Sequence, residues 1–246
     1  MSSPRAVIFD LGGTLVHWPD WDGDAPSKWR RAYDSLLTKG GERDWPVAQA
    51  FVDAMRAAEK AHWERVDREH WSGPPTGLVS DGFRRLGLAV EEDILIATMD
   101  GYARAIAGWS AVFPDARATL LLLRERGYRL GLLSNTWWAA EWHNADIAAH
   151  GLADLLDELV YTSDQPHSKP HASVFREISA RLGVDPAACV MIGDRQIDDV
   201  AGAKRAGMRG IWRRNDSGFP AGDVEADAVV DQLSELPPLL RRWGGR

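Results

Sequence analysis

In residues 4–15, Pro-Arg-Ala-Val-Ile-Phe-Asp-Leu-Gly-Gly-Thr-Leu, the apolar run 6–9 passes without a polar break into Asp10, and Gly12-Gly13 follow at once. A short apolar, partly β-branched run stopped by glycines reads as a strand buried on both faces. Asp10 therefore stands at the strand's carboxyl end. Beyond Pro114 runs of this kind recur at 129–133, 159–161, 189–192, 210–212 and 228–230. Segments with helical spacing separate or follow them at 115–126, 138–150, 173–182, 197–206 and 234–243, with Gly127, Gly183 and Gly207 as stop signals. Strands alternating with helices imply right-handed βαβ units and a parallel sheet, so the fold class is α/β with a Rossmann-like core.

Residues 17–108 break this rhythm. The spacing predicts helices over 27–39, 46–71, 79–86 and 91–107. An acidic loop covers 17–25, a Gly/Pro loop covers 72–77, and no convincing strand is present. The block reads as a helical domain (17–108) inserted into a core formed by 1–16 and 109–246.

Composition narrows the function. With 45% apolar and 26% charged residues the chain is an ordinary globular one, which excludes disorder, collagen and coiled coil as the main theme. Against 36 Asp and Glu stand 29 Lys and Arg, a net charge of −7, so the basic surplus of a nucleic-acid binder is missing. The single cysteine, Cys189, has no partner for a disulfide and reads as an inert core residue. Neither a signal-peptide core nor a run of about 18 apolar residues is found. The expectation is a cytoplasmic protein without nucleic-acid or membrane partners. Its 12 tryptophans are the compositional oddity.

In open parallel sheets ligands bind beyond the carboxyl ends of the strands. The polar residues there are Asp10, Ser134-Asn135, Lys169-Pro170 in the loop before a helix, and Asp194 followed by Asp198-Asp199. Carboxylates gathered at neighbouring strand ends repel one another unless a cation lies among them. Mg²⁺, a hard ion that takes carboxylates, waters and phosphate oxygens, suits such a set. A lysine, a hydroxyl and amide donors opposite it would hold a phosphoryl group.

The segments Asp10-Leu-Gly-Gly-Thr-Leu15, Leu132-Leu-Ser-Asn135, Ser168-Lys-Pro170 and Gly193-Asp-Arg-Gln-Ile-Asp-Asp199 resemble, in order, the four motifs of the haloacid dehalogenase-like superfamily. The inserted helices resemble its C1-type cap. The resemblance implies a Mg²⁺-dependent phosphatase acting on a small phosphorylated metabolite. Asp10 would be the nucleophile that forms an aspartyl-phosphate, and Thr14 would brace its loop. Ser134 and the amides around Asn135 would bind the transferring group, and Lys169 would pair with Asp10 and the phosphate. Asp10, the Gly12 carbonyl and Asp194 would ligate the metal, with Asp199 supporting it indirectly or through water. Asp198 reads as a helix-start residue.

One position departs from the pattern. The family's phosphatases carry a second aspartate two residues after the nucleophile, as acid and base. Here that position is Gly12. Such catalysis is worth about 10²–10⁴-fold. His17, Asp20, Asp22 or Asp24 could stand in for it, or the substrate could leave unaided, as an acyl or aryl phosphate would. Gly12→Asp is then expected to raise turnover on alkyl phosphates. Two other readings follow. A hydrolytic dehalogenase also lacks the second aspartate, but it lacks the acids present here as Asp194 and Asp199. A weakly active or non-enzymatic protein would bind only a phosphate ligand. The remaining histidines (62, 70, 143, 150, 167, 171) show no ligand spacing and read as surface or structural. Trp137, Trp138 and Trp142 read either as packing between core and cap or as part of the site's mouth.

Overall fold

Ala6–Phe9 form strand β1, and all four side chains are shut off from solvent. The structure, a computed structural model, describes residues 2–19, 21–215 and 222–244, and of residues 21–25 the backbone alone. After β1 the chain runs through β2 (Val16–His17), α1 (Trp21–Gly40), α2 (Ala48–Glu69), α3 (Pro75–Arg85), α4 (Glu92–Ile106) and β3 (Ala111–Val112). It continues through α5 (Ala116–Glu125), β4 (Arg129–Ser134), α6 (Ala140–Ala149), β5 (Glu158–Tyr161), α7 (Ala172–Leu182) and β6 (Cys189–Gly193). α8 (Gly202–Arg205), β7 (Arg209–Arg213), β8 (Ala228–Val230) and α9 (Leu236–Arg242) complete it.

Six strands form one parallel sheet in the order β5-β4-β1-β6-β7-β8. The period of two along β1 explains its burial. Val7 and Phe9 pack with Leu120 and Leu123 of α5 and Leu240 of α9, whereas Ala6 and Ile8 pack with Val174, Phe175 and Ile178 of α7. From β1 the chain builds β4 and β5 on one side, then β6, β7 and β8 on the other. The strand order therefore reverses at β1, and a crevice opens beyond the carboxyl ends of β4, β1 and β6.

No described residue between 17 and 108 enters the six-stranded sheet. Within that block α1 packs along α4 and α2 along α3. Their apolar faces form a separate cluster around Trp29, Phe51, Met55, Phe83 and Tyr102. Trp137 and Trp138, from the segment after β4, are buried in this same cluster. The Trp137 ring stacks on Trp29 at 5.8 Å and meets Tyr102 edge-on at 5.0 Å. Contacts of this kind add about 0.5–1.5 kcal/mol each beyond burial. These two tryptophans join sheet and insertion rather than line a mouth.

Several local expectations change. Residues 16–17 and 111–112, where no strand was expected, pair as a short antiparallel ribbon where the chain enters and leaves the insertion. Two-residue strands are too short to show a period in sequence. α1 starts at Trp21 and carries Pro26 inside it. The expected loop at 72–77 becomes helix from Pro75 onward, because a proline in the first helical turn lacks only an amide that would go unpaired there. The helix expected over 197–206 opens as a π-turn, Gln196–Ala201, before α8. Among the described residues no helix is long and apolar enough to cross a membrane.

Candidate active site

The strand ends converge on Lys169. Asp10 is anchored by its amide, which donates to the Ile192 carbonyl at 2.9 Å. The Lys169 ammonium donates to Asp10 Oδ1 at 2.6 Å, to Asp199 Oδ1 at 2.6 Å and to the Leu133 carbonyl at 3.1 Å. Asn135 clamps the lysine's backbone. Its Nδ2 donates to the Lys169 carbonyl at 2.9 Å, and its Oδ1 accepts the Lys169 amide at 2.8 Å. The Asn135 side chain is thus committed to holding Lys169. Ser134, at the end of β4, is buried beside it.

Asp10, Asp194 and Asp199 are 6%, 6% and 0% exposed, and one oxygen of each lies within 4.8 Å of the others. Burial pushes the Asp10 carboxyl up to about 7; Lys169 opposes this, and the charges of Asp199 and Asp194 add to it. Burial alone would lower the Lys169 ammonium, but Asp10 and Asp199 outweigh it and hold its pKa above the ordinary value. Lys169 pairs with two of the three carboxylates, Asp10 and Asp199, and the three oxygens gather at one place away from water. Hard oxygen donors gathered in this way fit a divalent cation such as Mg²⁺. Both Asp199 oxygens have partners: Oδ1 accepts from Lys169, and Oδ2 accepts the Arg195 amide at 3.0 Å.

The π-turn explains how adjacent carboxylates find different partners. Asp199 turns to Lys169, whereas Asp198 pairs with Arg195 at 2.8 Å. The glycines before and after the carboxylates are steric requirements. A Cβ on Gly193 would fall 2.0 Å from Asp199 Oδ2. Gly13 has φ +73°, and a Cβ there would fall 2.3 Å from Asp194 Oδ2. Arg213 and Asn215 both donate to the Gly13 carbonyl and hold this turn. Both lie at the carboxyl end of β7, where a search of strand ends would have found them. Thr14 is fully buried; its amide donates to the Leu11 carbonyl at 3.3 Å, and its hydroxyl finds no partner among the described residues. The loop is therefore braced by backbone rather than by that hydroxyl.

Position 12 differs most from expectation. A Cβ there would lie 2.9 Å from Trp18 Cζ3, so Gly12→Asp cannot be accommodated without moving the indole. Of the proposed substitutes for the missing acid, His17 is exposed and packs on Phe113 at 5.0 Å. Asp20 and the side chains of Asp22 and Asp24 lie outside the described residues. Cys189 is buried, and burial pushes its thiol up to about 12, as an inert core residue requires.

A clasp between the insertion and the lysine loop was not legible in the chain. Trp71 bridges antiparallel to His167. The Ser72 amide donates to the Pro166 carbonyl at 3.2 Å, and the Ser168 amide donates to the His70 carbonyl at 3.0 Å. The histidines read as surface or structural include a stacked pair here, His167 and His171, with ring centroids 3.9 Å apart.

Residues 4–207 match the family described as haloacid dehalogenase-like hydrolase. The chain belongs to that family. The hydrolase is 32% identical, over 96% of its own length and 99% of the relative's, to the glyceraldehyde 3-phosphate phosphatase of Methanothermobacter thermautotrophicus. Its structure superposes on a crystal structure of a HAD phosphatase from Thermococcus onnurineus with TM-score 0.64 and 26% identity, covering 96% and 97% of the two chains. It also superposes on a 2-haloacid dehalogenase from Pseudomonas syringae pv. Tomato DC3000 with TM-score 0.69 and 25% identity, covering 98% and 99%.

Proposed function

We propose that the hydrolase is a Mg²⁺-dependent phosphatase of a small phosphorylated metabolite. The observation that carries this reading is the buried set of Asp10, Asp194 and Asp199 around Lys169 at adjacent strand ends. An Asp10 oxygen attacks phosphorus, the bond to the leaving oxygen breaks, and that oxygen departs with the electron pair. Water then cleaves the aspartyl-phosphate, freeing phosphate and the Asp10 carboxylate. Lys169 orients Asp10 and offsets charge on the phosphoryl oxygens. The Ser134 hydroxyl and the amides around Asn135 hold those oxygens, with Thr14 in the supporting loop. Asp10, the Gly12 carbonyl and Asp194 would hold Mg²⁺, which when bound supplies charge neutralisation for the phosphoryl group. Asp199 supports the site through Lys169.

The test is release of inorganic phosphate from a panel of phosphorylated metabolites, with Mg²⁺ and after chelation. Release that requires Mg²⁺ is expected. Metal-independent halide release from 2-haloacids would instead establish a dehalogenase, and phosphate binding without turnover a non-enzymatic protein. The buried acids Asp194 and Asp199 favour phosphoryl over halide chemistry, because halide displacement has no use for a cation held beside the nucleophile.

Asp194→Asn is expected to weaken Mg²⁺ binding by about tenfold or more, read by titration calorimetry. Unchanged affinity would remove Asp194 from the ligand set. A pH dependence accompanies this. In the metal-free protein the folded-state pKa of Asp10, about 7, lies above its ordinary 3.8. Between those values the folded state keeps a proton that the unfolded state has lost, so this group's contribution to stability falls as pH rises. The rise in Tm on adding Mg²⁺ is therefore expected to be larger at about pH 8 than at about pH 5; equal shifts would separate the metal from Asp10.

We also propose that 17–108 acts as a cap on a core of 1–16 and 109–246, its clasp at 70–72 closing over the Lys169 loop. Orthophosphate with Mg²⁺ should then slow hydrogen exchange at the Ser72 and Ser168 amides. Unchanged exchange there would speak against closure.

A further inference from the structure

Gly12 is two residues from Asp10, and the space in front of its Cα belongs to Trp18. The 2.9 Å separation from Cζ3 to a Cβ at Gly12 is well inside the distance of packed carbon atoms, about 3.5–4.0 Å. The indole is held where it is. It meets the Trp138 ring edge-on at 5.5 Å and the His143 ring at 6.4 Å. His143 is itself stacked between Trp138, at 5.1 Å, and Tyr161, at 5.0 Å, and its Nε2 bonds the Thr136 hydroxyl at 2.8 Å. The Trp18 ring packs against both the sheet's core and the insertion's core, and it stays half-buried. Burial lowers His143 to about 3, so the wall of Trp18, Trp138 and His143 carries no charge.

Two features bear on the site. A side chain at position 12 would have to displace Trp18. The six-membered ring of the indole lies against Gly12, two residues from Asp10, and part of the side chain stays exposed. We propose that Trp18 is the specificity-determining residue of this site, excluding an acid from position 12 and selecting planar, weakly basic leaving groups, that is, aryl phosphates. The assignment rests on the phosphatase reading above. In the reaction Asp10 forms its bond to phosphorus as the phosphorus–aryloxide bond breaks. The aryloxide leaves with the electron pair and needs no proton, and water completes hydrolysis of the aspartyl-phosphate.

The experiment is a cycle of Gly12→Asp, Trp18→Ala and the double variant, with Gly12→Ala alone and with Trp18→Ala for stability. Turnover is measured with Mg²⁺ on phenyl phosphates of graded leaving-group pKa, on acetyl phosphate and on glycerol phosphate. In the wild type kcat/KM should fall steeply as the leaving group becomes more basic, and aryl should exceed acetyl phosphate. Trp18→Ala should cut the aryl-over-acetyl preference by about tenfold or more. Gly12→Asp alone should gain nothing on glycerol phosphate and lower Tm, whereas the double variant should gain about tenfold or more. Gly12→Ala should lower Tm more with Trp18 present than in the Trp18→Ala background.

A gain on glycerol phosphate from Gly12→Asp with Tm unchanged would overturn the proposal, as would an aryl preference indifferent to Trp18→Ala. If no substrate releases phosphate, the phosphatase reading fails by itself. Binding of phenylphosphonate against methylphosphonate, with the Tm cycle, then decides the Trp18 assignment: tighter phenylphosphonate binding lost in Trp18→Ala supports it, and equal binding in the wild type refutes it.

Discussion

Asp10→Asn should lower Mg²⁺-dependent phosphate release by at least about 10⁴-fold, the scale seen when a nucleophile is removed from an otherwise intact site. The substitution keeps size and an oxygen that can still accept from Lys169. It removes the anion that burial disfavours. The folded protein should therefore remain, and near neutral pH its Tm without metal should not fall. Loss of activity with a retained Tm separates a missing nucleophile from a broken fold. Activity within about tenfold of wild type would take Asp10 out of the chemistry. Mg²⁺ affinity should also drop, since the same carboxylate is proposed as a ligand.

Lys169→Met has the largest expected effect on stability. The ammonium lies within 2.6 Å of both Asp10 and Asp199, and all three groups are buried. Methionine would leave two carboxylates facing each other without a cation. Removing one partner of a buried ion pair costs about 3–5 kcal/mol. The cost should depend on pH in a definite direction. Below about pH 7 Asp10 takes up a proton in the folded state, and the lysine then has one anion fewer to compensate. Above it Asp10 is ionised beside the lysine in the wild type, so the destabilisation should be larger at about pH 8 than at about pH 5. Urea unfolding of wild type and variant without metal at the two pH values reads this directly. A pH-independent loss would mean that Lys169 contributes packing rather than charge. With Mg²⁺, turnover should fall by about 10²–10³-fold, the scale for one removed group that stabilises transition-state charge. The acid limb of its pH profile should move upward, because Lys169 holds the Asp10 carboxyl down.

Much of this molecule was legible in the chain. The unbroken apolar run 6–9 specified strand, burial and the place of Asp10 together, because a strand buried on both faces needs apolar residues throughout and a polar one where it emerges. Gly183, read as the stop of α7, sits at φ +66° as its cap. The four motifs were readable because each lies at the end of a local element, so that spacing within a few residues specifies position. The insertion was readable because helical spacing without strands cannot join a parallel sheet.

What tertiary structure decided is the set of contacts between segments distant in sequence. The clasp joins residues 70–72 to 166–168, and no periodicity in either segment anticipates it. Arg213 and Asn215 reach the Gly13 carbonyl across about two hundred positions of chain. The stacked pair of His167 and His171 was invisible because imidazole pairing depends on the turn that brings the rings together. Gly12 shows the division most clearly. Its identity announced that an acid was missing, but not why. What occupies the space beside it is the Trp18 indole, which packs on Trp138 and His143 from beyond β4. Sequence determined which groups were available at the strand ends; packing between distant segments determined which space each was allowed to occupy, because exclusion of one side chain by another is a property of three-dimensional contact and not of local order.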